Sequence, residues 1–243
     1  GFVSRGLGDV YKRQLYARSS TTLNLMETTI ISNTGGGAYA DGDAHIQASH
    51  FEDNFKDGAF GGGLAVLGEL WITDTVFLSN TITSGPGGGL YASVDATVSG
   101  GSFMYNHCRG KDGSGCTGGG IYAASALMLS ETRLANNIAA SQGGGLFAAR
   151  TAIITGSEFV GNEAQDDGGG INAQNMLIVT NTTLMDNKAA EVGAGIRFEQ
   201  EGRIYGSHFE NNQSQSHGGG IYSSEPLTIL NTDFISNTAV LAG

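Results

Sequence analysis

Three carboxylates lie beside two consecutive glycine triplets and could bind a cation. Asp166 and Asp167 directly precede Gly168, and Glu191 lies two residues before Gly193. If the two triplets occupy equivalent positions in adjacent structural repeats, these side chains become neighbours. Carboxylate oxygens are preferred ligands of Ca²⁺, with amide and carbonyl oxygens completing the shell. The sequence therefore offers Asp166, Asp167 and Glu191 as a candidate calcium site. The alternative is that these carboxylates lie in turns and are simply solvated. No other cofactor is predicted.

Two cysteines lie close together in a segment that starts at His107 and reads His-Cys-Arg-Gly-Lys-Asp-Gly-Ser-Gly-Cys. A disulfide between Cys108 and Cys116 would close a small loop and would indicate an oxidising compartment. Free thiols are the alternative. Even with His107, the cysteines fall short of the four ligands of a structural zinc site.

Three aromatic residues follow successive glycine triplets at the same offset, namely Tyr91, Tyr122 and Phe147. Stacked on an outer face, they could form an exposed platform for sugar rings or for a partner protein. Plain stacking between neighbouring strands is the alternative.

Catalytic groups are harder to find. Arg197 and Glu199 lie two residues apart and indicate a surface ion pair. The sequence places His45, His50 and His208 as isolated side chains. No pair of carboxylates has the spacing that glycoside hydrolysis requires. We therefore predict no catalytic residue and no enzymatic activity.

An internal repeat of about 25 residues positions all of these groups. Each repeat has two markers. One is a glycine triplet, and the other is a large apolar residue that is followed three positions later by asparagine. A column of identical polar side chains is expected to form a structural ladder. Its members are Asn33, Asn54, Asn80, Asn106, Asn137, Asn162, Asn187, Asn212 and Asn237.

Apolar residues alternate with polar ones in two short segments of each repeat, which is the period of a β-strand. A third short segment surrounds the asparagine motif, and no segment has the period of an amphipathic helix. A unit this small must stack on its neighbours to bury its apolar face. The sequence predicts an all-β fold, a single-stranded right-handed parallel β-helix of eight to nine coils.

Residues 1–14 are expected to lie outside this fold. Residues 4–14 resemble the translation of a transposase-type sequencing adapter. The β-helix domain is expected to cover residues 15–243 and to be truncated at both ends. The chain has 23 acidic and 12 basic residues and a net charge of −11, which disfavours nucleic acid as a partner. No apolar run is long enough to span a membrane.

Two segments carry a family resemblance, GGGIYAASALMLSETRLANN at 118–137 and GGGIYSSEPLTILNTDFISN at 218–237. They resemble the GGA[ILV] and FxxN repeat of chlamydial polymorphic outer membrane proteins, and wider families of bacterial β-helix surface proteins, within the pectin-lyase-like superfold. The resemblance implies a secreted or cell-surface passenger, often an adhesin of an autotransporter, with a host or cell-surface protein or glycan as its partner.

The leading hypothesis is an extracellular, non-catalytic β-helix that acts as a scaffold or adhesin-like interaction surface. The alternative is a carbohydrate-active or carbohydrate-binding β-helix, similar to polysaccharide lyases or hydrolases, with its catalytic coils outside this chain. Uncapped coils at either end are expected to allow end-to-end self-association.

Overall fold

The computed structural model describes residues 15–18, 21–110 and 115–241, so the adapter-like segment 1–14 lies outside the described residues. Every regular element in these ranges is a β-strand. The strands form four parallel sheets that run the length of a solenoid, with one strand of each sheet in a full coil. The predicted parallel β-helix of about nine turns is confirmed.

The first sheet, sheet A, starts directly after each glycine triplet. Its inward side chains are mostly aliphatic, with Phe198 and Ser223 as exceptions, and like residues of adjacent coils lie opposite one another. Its nine strands are Leu15–Ala17, Ala38–Ala40, Leu64–Val66, Leu90–Ala92, Ile121–Ala123, Leu146–Ala148, Ile171–Ala173, Ile196–Phe198 and Ile221–Ser223.

Sheet B follows across a short turn and has the longest strands. Buried and exposed side chains alternate along most of them, as the sequence predicts. Its nine strands are Leu23–Met26, Ala44–Gln47, Leu70–Thr73, Ala96–Ser99, Leu127–Ser130, Ala152–Thr155, Leu177–Thr180, Gly202–Tyr205 and Leu227–Leu230.

Sheet C contains the large apolar residue of the asparagine motif at its centre. Its nine strands are Thr29–Ile31, His50–Glu52, Val76–Leu78, Ser102–Met104, Arg133–Ala135, Glu158–Val160, Thr183–Met185, His208–Glu210 and Asp233–Ile235.

Sheet D lies just beyond the asparagine and was not anticipated from the sequence. Its strands are only two residues long, which is too short to show alternation. The eight strands are Phe55–Lys56, Thr81–Ile82, His107–Cys108, Ile138–Ala139, Glu163–Ala164, Lys188–Ala189, Gln213–Ser214 and Thr238–Ala239.

One hydrophobic core runs through the solenoid. In sheet C the buried rings of Phe51, Phe77 and Phe103 stack in register, with centroids 4.7 and 4.5 Å apart. Burying each such side chain contributes about 2–3 kcal/mol, which a single coil cannot obtain alone. Stacking therefore stabilises every coil through its neighbours.

The glycine triplets allow adjacent coils to approach closely. A β-carbon on Gly119 would lie 2.4 Å from the carbonyl oxygen of Gly144 in the next coil. That distance is shorter than real contacts of this kind, so a side chain at Gly119 would require the next coil to shift, as the coils must at the equivalent Ala194. The corners after sheet B need a left-handed backbone instead, with φ of 45° at Ala48, 50° at Glu131 and 59° at Gly156.

Candidate functional site

The asparagines form a continuous buried ladder. Asn80 donates from Nδ2 to Oδ1 of Asn106 at 3.0 Å and to the carbonyl oxygen of Phe51 at 2.9 Å. Oδ1 of Asn106 also accepts the backbone N–H of Asn80 at 3.0 Å. Amide-to-amide bonds of this kind link every neighbouring pair from Asn33 to Asn237. The column holds the corner together and leaves few polar groups for a ligand.

A second, hydroxyl ladder runs beside it and was missed in the sequence. Ser157 accepts the backbone N–H of Thr132 at 3.3 Å and donates its own hydroxyl to the carbonyl of Thr155 at 3.1 Å. The signal was present, because serine or threonine recurs two residues before the large apolar residue. The buried members are Ser49, Thr75, Thr132, Ser157, Thr182 and Ser207, with a break at Gly101.

The aromatic residues on the outer side of sheet A do stack, but they do not form an exposed platform. Tyr91 and Tyr122 have ring centroids 5.4 Å apart, and Tyr122 and Phe147 are 5.1 Å apart with planes within 3°. Tyr91 is only 8% exposed and Phe147 only 4%, so the predicted exposure is wrong for both. Burial raises the pKa of the half-buried Tyr122 phenol, and the neighbouring Tyr91 raises it to a smaller extent.

The glycine turns explain this burial. A β-carbon on Gly118 would lie 2.9 Å from Cβ of Tyr122, so the turn lies directly over the outer side of the strand. The stacked rings also cover one another's faces, and Phe60 covers Tyr91 from the other side at 4.4 Å. A sugar ring needs a free aromatic face. The rings therefore stabilise the sheet and offer little to a glycan.

Two of the three carboxylates proposed for calcium are already engaged by the protein. Asp166 accepts a hydrogen bond from the Ser141 hydroxyl at 2.6 Å. Asp167 is buried, accepts from Nε2 of Gln142 at 3.1 Å, and lies 3.8 Å from Nε of Arg197.

The third carboxylate residue, Glu191, is exposed and contacts Asp166 through the backbone, its N–H donating to the Asp166 carbonyl at 2.9 Å. No three acidic, histidine or cysteine side chains in the described ranges could hold a metal ion. The predicted calcium site is not assembled, because Asp167 turns inward toward Arg197.

The predicted ion pair between Arg197 and Glu199 is present, and Asp167 extends it. On the neighbouring strand Asn172 is fully buried beside Phe147. Neither amide atom of Asn172 has a hydrogen-bond partner among the described residues. This position interrupts the aromatic column with a polar group that packing alone does not require.

Cys108 and Cys116 form a disulfide with their Cα atoms 5.3 Å apart. Both are buried beside Ile82 in a small apolar cluster under sheet D. The bridge closes the base of the loop in the one long repeat, and both sulfurs are inaccessible to a ligand.

The histidines are not isolated, contrary to the prediction. The sequence His-Phe-Glu occurs twice in sheet C, and strand alternation places its outer residues on one face. The contacts are His50 with Glu52 at 3.0 Å, His208 with Glu210 at 3.1 Å, and His45 stacked on Trp71 with ring centroids 4.5 Å apart.

Surface depressions on the rod are small. One of about 150 Å³ is lined by side chains of sheet D, including Glu163, Lys188 and Gln213. A second of about 270 Å³ lies near Phe55 and Thr34. Pockets that enclose small molecules usually have volumes of about 300–1,000 Å³. Contact surfaces on the outer faces are better candidates than these depressions.

The family profile of the Chlamydia polymorphic membrane protein repeat matches residues 206–224. No curated protein and no solved structure matches the chain significantly. In the described part of the chain, no helix is long and apolar enough to cross a membrane. The matched segment covers the ladder asparagine Asn212 and one glycine triplet of a repeat that the structure continues through the described solenoid. The chain is therefore a parallel β-helix repeat protein, similar in its repeat to the Chlamydia polymorphic membrane proteins.

Proposed function

We propose that the chain is a non-catalytic, adhesin-like scaffold that presents interaction surfaces outside the cell. The matched repeat family indicates a surface-associated protein. The disulfide between Cys108 and Cys116 suits an oxidising compartment. Secretion as an autotransporter passenger follows from the resemblance and is part of the proposal.

One observation carries the proposal, namely the contrast between inward and outward positions. Inward positions of sheet A repeat the same types, as Leu90, Ile121 and Leu146 do. The outward positions of sheet B are exposed or half-buried and vary freely, from His45 to Arg203. A rod whose core is uniform while its surface varies is a support on which different contact surfaces can evolve.

Binding and turnover assays on the same protein test the proposal. We expect the labelled chain to bind animal-cell surfaces saturably and to release no new reducing ends from acidic or neutral polysaccharides. The heat-unfolded chain controls for non-specific adhesion. Product release that disappears in Asp166→Asn or Arg197→Gln would overturn the non-catalytic assignment. Absence of saturable binding to any surface tested would contradict the adhesin-like role.

A further inference from the structure

The outer face of sheet B carries an uncharged column that is apolar at four of its five positions. Its members occupy the same register on five adjacent strands, and three of them are well exposed: Trp71 by 38%, Met128 by 57% and Ile153 by 37%. We call this column the sheet B stripe, and it consists of Trp71, Thr97, Met128, Ile153 and Ile178. Scattered exposed apolar residues need no explanation, whereas these are aligned on neighbouring strands of a chain with a large net negative charge, which favours a contact surface.

A row of small hydroxyl side chains lies beside the stripe on the same strands. Ser130 donates a hydrogen bond to Ser99 at 3.1 Å, which links two neighbouring members of the row. No position in either row is charged, although the chain has a net charge of −11. The hydroxyl row consists of Thr73, Ser99, Ser130, Thr155 and Thr180.

Exposed carboxylates border this uncharged face on both sides. Glu69 and Asp95 directly precede their strands, and Asp74 and Glu131 directly follow theirs. Arg150 is a positive charge two residues before the strand Ala152–Thr155, so these borders remain acidic on balance. A partner of complementary charge would bring apolar side chains flanked by lysine or arginine.

The size of the stripe decides between a peptide segment and a second copy. Four strand spacings of about 4.8 Å separate Trp71 from Ile178, giving a length of about 19 Å. With a width of about 10 Å the stripe offers about 200 Å², well below the roughly 800 Å² that each partner buries in a stable interface. An extended segment of about six residues spans that length.

A glycan is less suitable for this face than a peptide. Trp71 stacks against His45 with centroids 4.5 Å apart and planes within 7°. One face of the indole is thus covered, and the ring lies in a column in which neighbours stack along the rod axis. Met128 and Ile153 offer flexible and branched aliphatic surface, which suits apolar side chains.

We propose that the sheet B stripe binds an extended protein segment in which apolar residues alternate with lysine or arginine. The segment lies along the rod axis with its apolar side chains against the stripe. The alternate basic side chains start on the opposite side and bend back along the segment toward the bordering carboxylates. This inference rests on the proposed scaffold function and names the partner chemistry of one of its surfaces.

Trp71 is the only tryptophan of the chain, so its fluorescence reports directly on this surface. The probes are three 12-residue peptides of alternating Leu-Lys, Leu-Glu and Ser-Lys. We expect a saturable change in emission with Leu-Lys, and affinity at least about tenfold lower for each of the other two. Equal affinity for Leu-Lys and Ser-Lys would overturn the proposal, because charge alone would then explain binding.

A matched pair of variants locates the site. Met128→Ser with Ile153→Ser should weaken Leu-Lys binding by about tenfold or more. Met104→Ser with Met185→Ser, on the outer face of sheet C, should leave it unchanged. All four side chains point outward, and circular dichroism checks that both variants keep the fold. Equal loss in both variants would overturn the assignment to sheet B. A matching emission change with neutral phosphatidylcholine vesicles would overturn the protein segment as its occupant.

The cell-binding assay separates this inference from the proposed function. If the wild-type chain binds cells and the Met128→Ser, Ile153→Ser variant binds equally well, the stripe is not the contact surface and the scaffold function stands. If the Leu-Lys peptide binds at the stripe while the chain binds no cell surface, the site stands and the adhesin-like role fails.

Discussion

Asn137 illustrates how much a single ladder residue supports. Its Nδ2 donates to the Phe103 carbonyl at 2.8 Å and to Asn162 at 2.9 Å, and its Oδ1 accepts the N–H and the Nδ2 of Asn106 at 3.0 Å. Replacing it with alanine leaves several buried groups unpaired, each costing about 1–3 kcal/mol. We expect Asn137→Ala to lower the free energy of unfolding by about 3–5 kcal/mol in urea titrations.

The adjacent Asn136 is the matched control for this prediction. It is exposed and lies in a left-handed corner, with φ of 54°. Asn136→Ala should cost only about 1 kcal/mol. Similar losses for both substitutions would show that the ladder contributes no more than an exposed turn.

His107 should make stability depend on pH. Burial lowers the pKa of His107 below the ordinary value of 6.5. The positive charge of Arg109 lowers it further, and Glu163 opposes this shift. Between the folded pKa and 6.5 the unfolded chain binds a proton that the folded chain does not, so acid favours unfolding. We expect the wild-type protein to lose more of its Tm between pH 7.5 and pH 5.5 than His107→Gln does. Equal losses would mean that His107 does not contribute to this dependence.

The structural role of residues that recur at fixed spacing could be predicted from the sequence, but the burial of individual side chains could not. The Asn column was evident because one residue type returned in every repeat. The burial of Tyr91 and Phe147 was not, because it depends on where the glycine turn lies over the strand. The contact between His50 and Glu52 could be predicted, since strand alternation places both side chains on the same face.

The strands themselves were predicted to the extent that they are long enough to show alternation. Sheets A, B and C each have at least three residues per strand. Sheet D has two, as in Ile138–Ala139, and a two-residue strand has no period to detect. Its pairing is imposed by the coils stacked above and below it, which no single repeat encodes.

The corner after sheet B offers a clean measure of backbone strain. Gly156 has φ of 59°, and a β-carbon there would meet nothing closer than Cγ of Glu131 at 3.8 Å. Gly156→Ala therefore creates no clash, and we expect it to cost about 1 kcal/mol from the left-handed conformation alone. Urea unfolding provides the measurement.

The reverse substitution at the same corner is the control. Ala48 has φ of 45° after the preceding sheet B strand Ala44–Gln47. Ala48→Gly should be neutral or stabilising by up to about 1 kcal/mol. Destabilisation by Ala48→Gly comparable to that of Gly156→Ala would rule out strain as the common cause.

At the scale of the whole molecule, the side chains that stabilise the solenoid point inward, and the side chains that set its surface chemistry point outward. The large apolar residues and the asparagines that recur in every coil point inward, as the rings of Phe51 and Phe77 do. Everything that varies points outward, so coils tolerate surface changes while the stack persists. The sequence predicted this division and the coil number, because both follow from periodicity. Which outer face contacts a partner depends on residues from five coils, and periodicity carries no information about it.

The same stacking predicts how this chain behaves in solution. In the last described coil, residues that are buried elsewhere are exposed, including Leu227 by 37%, Ile229 by 38% and Phe234 by 44%. At the other end Leu15 is 40% exposed. Among the described strands, those of the two end coils pair on one side only, and such edges with apolar side chains favour association with a like edge. We expect the mass measured by sedimentation velocity to rise with concentration, and Ile229→Glu with Phe234→Glu to keep the chain monomeric. The two substitutions should leave the circular dichroism spectrum of the chain unchanged, which shows that the preceding coils stay folded. A wild-type chain that stays monomeric at every concentration would contradict end-to-end association.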